Sequence, residues 1–172
     1  MDLKTFELLA RYNLWATQKL NQTLLLVSDD DFFLDQGLYF KSIFGTLNHL
    51  LVGEHHLWFP RFALHHSPIL PLDSIVETNR TQLVEQLEKK AENWIYFLNQ
   101  VDEKVFHQEL HYKTSTDVAM HLPYAATLMH VFNHATHHRG QITAALTAMG
   151  YVCPELDLIY MLLEDKAKKR IE

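Results

Sequence analysis

Pro123-Tyr-Ala-Ala-Thr-Leu-Met-His130-Val-Phe-Asn-His134-Ala-Thr-His137-His138-Arg-Gly-Gln141-Ile-Thr-Ala-Ala-Leu-Thr-Ala-Met-Gly150 reads as one long helix. Proline suits a first helical turn and glycine a helix terminus, so the two ends mark the boundaries. Between them Leu128, Val131, Ala135, His138, Ile142, Ala145 and Met149 recur at three- and four-residue steps. That is the apolar stripe of a helix with one buried face. A helix this long with one stripe needs partners to cover it, which points to a bundle.

The rest of the chain supplies them. Phe6, Leu9, Asn13, Ala16, Leu20, Thr23 and Val27 give a first helix, which the run Ser28-Asp-Asp-Asp31 is expected to stop. A second helix is predicted over roughly 41–64, bent or ended near Pro60. Residues 65–74 read as a loop, and Leu83, Leu87, Lys90, Trp94, Phe97 and Val101 place a third helix over roughly 75–101. Its charged run Glu85–Glu92 reads as a solvated face. Residues 102–122 partly alternate apolar and polar around Ser115-Thr116-Asp117, which fits a short hairpin or an extended crossover. A short last helix should run from Glu155 to about Lys169. The predicted fold class is all-α, a four-helix bundle with a long crossover between helices 3 and 4.

Composition narrows the function classes. With roughly 150 residues per domain, 172 residues predict a single domain over 1–172. Five glycines and five prolines argue against a turn-dense β-sandwich or a disordered chain. Fifteen Lys plus Arg against 21 Asp plus Glu, without a basic stripe, make a poor nucleic-acid binder. No apolar run approaches the roughly 18 residues of a membrane span, and the charged N-terminus does not look like a signal peptide. The one cysteine, Cys153, excludes an internal disulfide and suits a reducing, cytoplasmic setting. Histidine is the outlier, with 12 residues spread through the chain.

His138 occupies the apolar seam, and His134 lies about 40° off it. Residues at i and i+4 are neighbours on a helix surface, so the pair can grip one metal ion. One histidine on an apolar face usually bonds a carbonyl. Two would bury two polar rings without water, which is harder to explain as packing. A third ligand must come from another helix, and His49 is the candidate. It shares a face with Ser42, Gly45, Thr46, Val52 and Gly53, a stripe small enough to leave room for an ion and a ligand. His56 falls on nearly the same face, two turns on. His55, His65, His66, His107, His111 and His121 read as surface or loop residues. Asn13 sits on the first seam, positioned to bond a histidine, a metal-bound water or backbone. Glu54 reads as a solvated or interhelical carboxylate.

The chain resembles the DinB-like (YfiT-like) family of inferred metalloenzymes. Four stretches carry the resemblance: Tyr12-Asn-Leu-Trp15-Ala16, Leu47-Asn-His49, His134-Ala-Thr-His137-His138-Arg-Gly-Gln141 and Pro154-Glu-Leu-Asp157-Leu-Ile-Tyr160. It implies a divalent metal held by His49, His134 and His138, and three imidazoles with an open position suit zinc or nickel. It also implies homodimers and a small-molecule substrate. Relatives of that family imply transfer of a low-molecular-weight thiol to an electrophile. Three imidazoles with an open position equally suit a metal-dependent hydrolase, and a non-catalytic metal- or ligand-binding protein stays open as well. No catalytic residue beyond the ligands is identifiable.

Overall fold

A computed structural model describes residues 2–170. Helix α1 spans Leu3–Leu24, with Asp2 accepting from the Thr5 amide at 2.9 Å as its N-cap. It buries Phe6, Ala10, Asn13, Ala16, Leu20 and Leu24, the predicted stripe with a one-residue shift at its edges. The acidic run does end α1, but it also starts a new helix. Ser28 caps the Asp31 amide at 3.1 Å, and α2 (Asp29–Phe33) follows with three acids at its positive dipole end.

The second long helix differs most from its expected form. It runs without a break as α3 (Ile43–Leu50), a π-helical segment (Leu51–Trp58) and α4 (Phe59–Ala63). Hydrogen bonds from i to i+5 take one more residue into each ring than the α-helix does, so every side chain after Leu50 is rephased. Pro60 lies at the junction of the π segment and α4, where the change of helical period accommodates a residue without an N–H.

Helix α5 (Arg80–Leu98) is shorter than predicted. Its first turn is fixed by Asn79, which accepts from the Gln82 amide at 3.0 Å. The residues before it are held extended by Asn48, whose Oδ1 accepts from the amides of Val76 and Glu77 at 3.0 Å each. Helix α5 buries Leu83, Leu87, Ala91, Trp94 and Leu98 and forms the most extensive helix pairing of the fold, with α1.

The crossover is a 3-10 turn (Glu103–His107) and an antiparallel hairpin of β1 (Glu109–Lys113) and β2 (Ala119–Pro123). Asp117 takes φ 62° in the connecting turn. Helix α6 (Tyr124–Ala148) buries the predicted seam through Ala145, and Gly150 ends it at φ 87°. The last helix, α7 (Leu158–Lys168), starts three residues later than predicted. The fold is therefore all-α, with one two-stranded sheet among the described residues. Among the described residues, no helix is long and apolar enough to cross a membrane.

A small apolar cluster of Tyr12, Ala16 and Met161 packs α1 against α7, and two large ones fill the bundle. One gathers Leu20, Leu24, Ile43, Leu47, Leu51, Leu83, Ile142 and Leu146; the other gathers Phe6, Phe62, Trp94, Leu98, Leu128, Val131 and Phe132. Along α1 and the π segment, the buried polar residues Asn13 and Glu54 fall between them.

Candidate metal centre

His134 and His138 stand one turn apart on α6, and His49 reaches them from the last turn of α3. Nε2 of His134 lies 3.1 Å from Nε2 of His49 and 3.1 Å from Nε2 of His138. The donor nitrogens of all three rings lie within 4.8 Å of one another. Two imidazole nitrogens on one tetrahedral ion, with bonds of 2.0–2.1 Å, stand about 3.3–3.4 Å apart. The observed spacing is close to that.

Proton placement tests whether a cation fits. Nδ1 of His49 faces the carbonyl oxygen of Leu72 at 2.8 Å, and Nδ1 of His138 faces Oε1 of Gln141 at 2.7 Å. Both oxygens only accept, so each Nδ1 carries the ring proton, and each Nε2 is left with a lone pair. Nε2 of His134 therefore faces two lone pairs and can donate at most one proton between them. Its own Nδ1 is buried without a partner. If that nitrogen holds the proton, three lone pairs converge on one point. A shared divalent ion satisfies this arrangement better than hydrogen bonds can. Burial, reinforced by mutual repulsion, pushes the imidazolium of His134 down to about 3. Burial likewise pushes His138 down to about 4 and lowers His49. The rings are neutral near pH 7, the form that ligates.

Each Nδ1–H partner is built by local sequence. Gln141 follows His138 by three residues, one turn of α6, and its amide nitrogen also donates to Nε2 of His137 at 3.2 Å. Leu72 belongs to the loop that Asn48 ties down, so the residue next to His49 sets the position of the carbonyl that orients His49. Such outer partners fix the tautomer and raise ligand basicity. Phe40 stacks on His49, with ring centres 3.8 Å apart and planes 15° apart. Above Phe40 a cavity of about 640 Å³ is lined by Tyr39, Phe40, Lys41, Gly45, Leu72 and neighbours.

Behind the histidines lies a buried polar network that the sequence did not reveal. Asn13 bonds neither a histidine nor backbone. Its Nδ2 donates to Oε2 of Glu54 at 3.0 Å, and its Oδ1 accepts from Nη1 of Arg139 at 2.5 Å. Glu54 is interhelical and fully buried rather than solvated, and burial pushes its carboxyl up to about 7 against the opposing pull of Arg139. His55, expected at the surface, is buried with Nε2 3.4 Å from Oε2 of Glu54, and burial pushes it down to about 3. The π segment accounts for the burial of both, the interhelical alternative for Glu54 and an unexpected position for His55, because 100° per residue no longer holds beyond Leu50. Gly53 is also packed rather than open: a β-carbon there would stand 3.5 Å from Cε1 of His134. Of the small-residue stripe, Gly45 is the member that lines the cavity. His56 is half-buried, and His65, His66, His107, His111 and His121 are exposed as expected.

A family model described as the DinB family matches residues 1–169. Protein DinB of Bacillus subtilis (strain 168) is 28% identical over 167 residues, covering 94% of this chain and 95% of that protein. No solved structure is a significant match.

Proposed function

The chain belongs to the DinB family, and from that premise we propose that it is a metal-dependent enzyme that transfers a low-molecular-weight thiol to a small electrophile. His49, His134 and His138 would hold the ion; three neutral imidazoles suit several divalent metals, and zinc or nickel is the proposed one. The observation that carries the reading is the convergence of three Nε2 atoms whose Nδ1–H partners, where present, are carbonyl oxygens. When bound, a divalent ion with an open position supplies an acidified thiol at neutral pH.

The chain's own residues do the remaining work. Leu72 and Gln141 hold two ligand rings in one tautomer, so no proton has to move before a ligand binds. Phe40 shields one face of His49 from water and separates it from the cavity beside Lys41 and Leu72. That cavity is the proposed approach for the substrate, with Lys41 available to a carboxylate on either reactant. A cytoplasmic setting belongs to the same proposal, since small thiols stay reduced there. So does a homodimer, for which exposed Ile159, Leu162 and Leu163 on α7 offer an apolar face.

Metal analysis of untagged protein, followed by a screen of several thiols with a chromogenic electrophile, tests the reading. The expected result is one strongly held ion per chain and metal-dependent thiol consumption. Metal-dependent ester cleavage without thiol would replace the proposal with a hydrolase, and a bound ion without turnover would reduce it to a binding protein.

A further inference from the structure

The hairpin carries a second concentration of imidazoles, outside the three-histidine centre. Its register sets His111 directly opposite His121. The Tyr124 amide donates to Gln108 O, and the Thr114 amide donates to Val118 O, at the two ends of the ladder. Antiparallel pairs alternate between bonded and non-bonded, so counting inward makes 111–121 a non-bonded pair. Side chains stand closest at such pairs, with β-carbons about 4.5–5.5 Å apart. The two rings lie 5.8 Å apart, centre to centre, with planes 23° apart. Imidazoles that share an ion through bonds near 2.0–2.1 Å have ring centres about 5–6 Å apart.

Two further features distinguish this pair from scattered surface histidines. Nδ1 of His121 lies 3.1 Å from Oε2 of Glu109. The carboxylate accepts, so Nδ1 carries the proton and Nε2 is left free to ligate, the carboxylate–histidine arrangement common at metal sites. The Lys113 amide also donates to Ser67 Oγ at 3.0 Å, which pins the loop after α4 against β1. His65, His66, His111 and His121 consequently line one shallow, open groove of about 500 Å³. Lys113, the cation in that lining, is paired with Asp117 at 2.7 Å.

We propose that this groove is a second divalent-metal site, with His111 and His121 as a chelating pair, Glu109 orienting His121 and water filling the remaining positions. Imidazole donors in water select a borderline ion such as zinc, copper or nickel over magnesium or calcium. The exposed ligands make it the weaker and more rapidly exchanging of the two sites.

The test counts zinc bound to untagged protein across a zinc titration, in wild type and two double variants. Wild type should bind two equivalents of unequal affinity. The His111→Ala/His121→Ala variant should lose the weaker equivalent and keep the stronger, while His134→Ala/His138→Ala should do the reverse. Glu109→Gln should weaken the second site by about 10-fold or more with the first unchanged. The hairpin histidines are exposed, so circular dichroism of their double variant should match wild type. A hairpin double variant that binds zinc as wild type does, or a second equivalent that disappears with the central pair alone, would overturn the proposal. Either result leaves the three-histidine centre to be judged on its own equivalent.

Discussion

Asn13 joins Glu54 to Arg139 across three helical segments, giving its amide to the carboxyl at 3.0 Å and taking a guanidinium hydrogen bond on its carbonyl. All three side chains are buried. A neutral amide between two ionisable groups bonds each of them without bringing them into direct contact, and Nε of Arg139 stays buried without a partner. Arg139 follows His138 directly, so the same bridge ties the turn of α6 that carries His138 to α1. Asn13→Leu keeps the branched shape and removes both bonds, and should cost about 1–3 kcal/mol, the penalty for leaving buried polar groups unpaired. Arg139→Met should cost a similar amount, about 1–3 kcal/mol, because it leaves Oδ1 of Asn13 unpaired while Glu54 keeps its bond to Asn13 and can take up a proton. Urea denaturation of the metal-free protein measures both. Unchanged midpoints would show that the bridge contributes nothing.

The buried titratable groups make a signed prediction about pH. His55, His134 and His138 are pushed from the ordinary imidazole value of 6.5 down to about 3, 3 and 4. The unfolded chain therefore binds more protons, and stability present above pH 6.5 is lost as pH falls toward those values. Glu54 has the opposite sign. Its carboxyl is raised from 4.5 to about 7, so its contribution is greatest at low pH and is lost as pH rises from 4.5 through 7. Three groups outweigh one, and metal-free protein should lose stability as pH falls below 6.5. Glu54→Gln should steepen that loss, because the compensating proton uptake is gone. Urea midpoints across this range, in chelator, measure it, and an acid limb no steeper in the variant would refute the assignment to Glu54.

Metal binding separates the histidines by position. His134→Ala or His138→Ala should abolish the tightly bound equivalent, whereas His107→Ala, exposed on the crossover, should not. His49→Ala should lower the melting temperature of metal-loaded protein more than that of the metal-free form, because metal bridging α3 and α6 contributes to folding. Equal shifts with and without metal would mean that His49 only packs, against Phe40 above all. Calorimetry on both forms distinguishes the two.

How much of this could be read from the sequence follows the physics of each segment. The seam of α6 is strictly helical, so its period placed His134 and His138 correctly relative to the core. His49 also landed correctly, because it precedes the π segment. Past Leu50 the period fails, and with it the placement of Glu54 and His55. No local residue signal announces a π turn; a clue lay in the fully apolar or small character of Leu50 to Gly53, which any helical phase accommodates. Asn48 was legible as part of a motif but not as the residue that pins a loop 28 positions away, because that bond is set by tertiary packing.

Gly53 gives the sharpest contrast between the two readings. A small-residue stripe suggests open space, in which case Gly53→Leu would block ligand access and spare the metal. The structure puts a β-carbon at that position 3.5 Å from Cε1 of His134, an ordinary contact for alanine. Leucine adds three carbons beyond it, in a segment already buried. The His134 ring would have to turn away, carrying its Nε2 out of the cluster. Gly53→Ala should therefore retain metal with little change, while Gly53→Leu should lose the tightly bound ion and, through that loss, any thiol binding. Metal content and thiol binding measured on the same samples decide it: loss of thiol binding with full metal content would restore the open cavity at Gly53 and refute the packed arrangement.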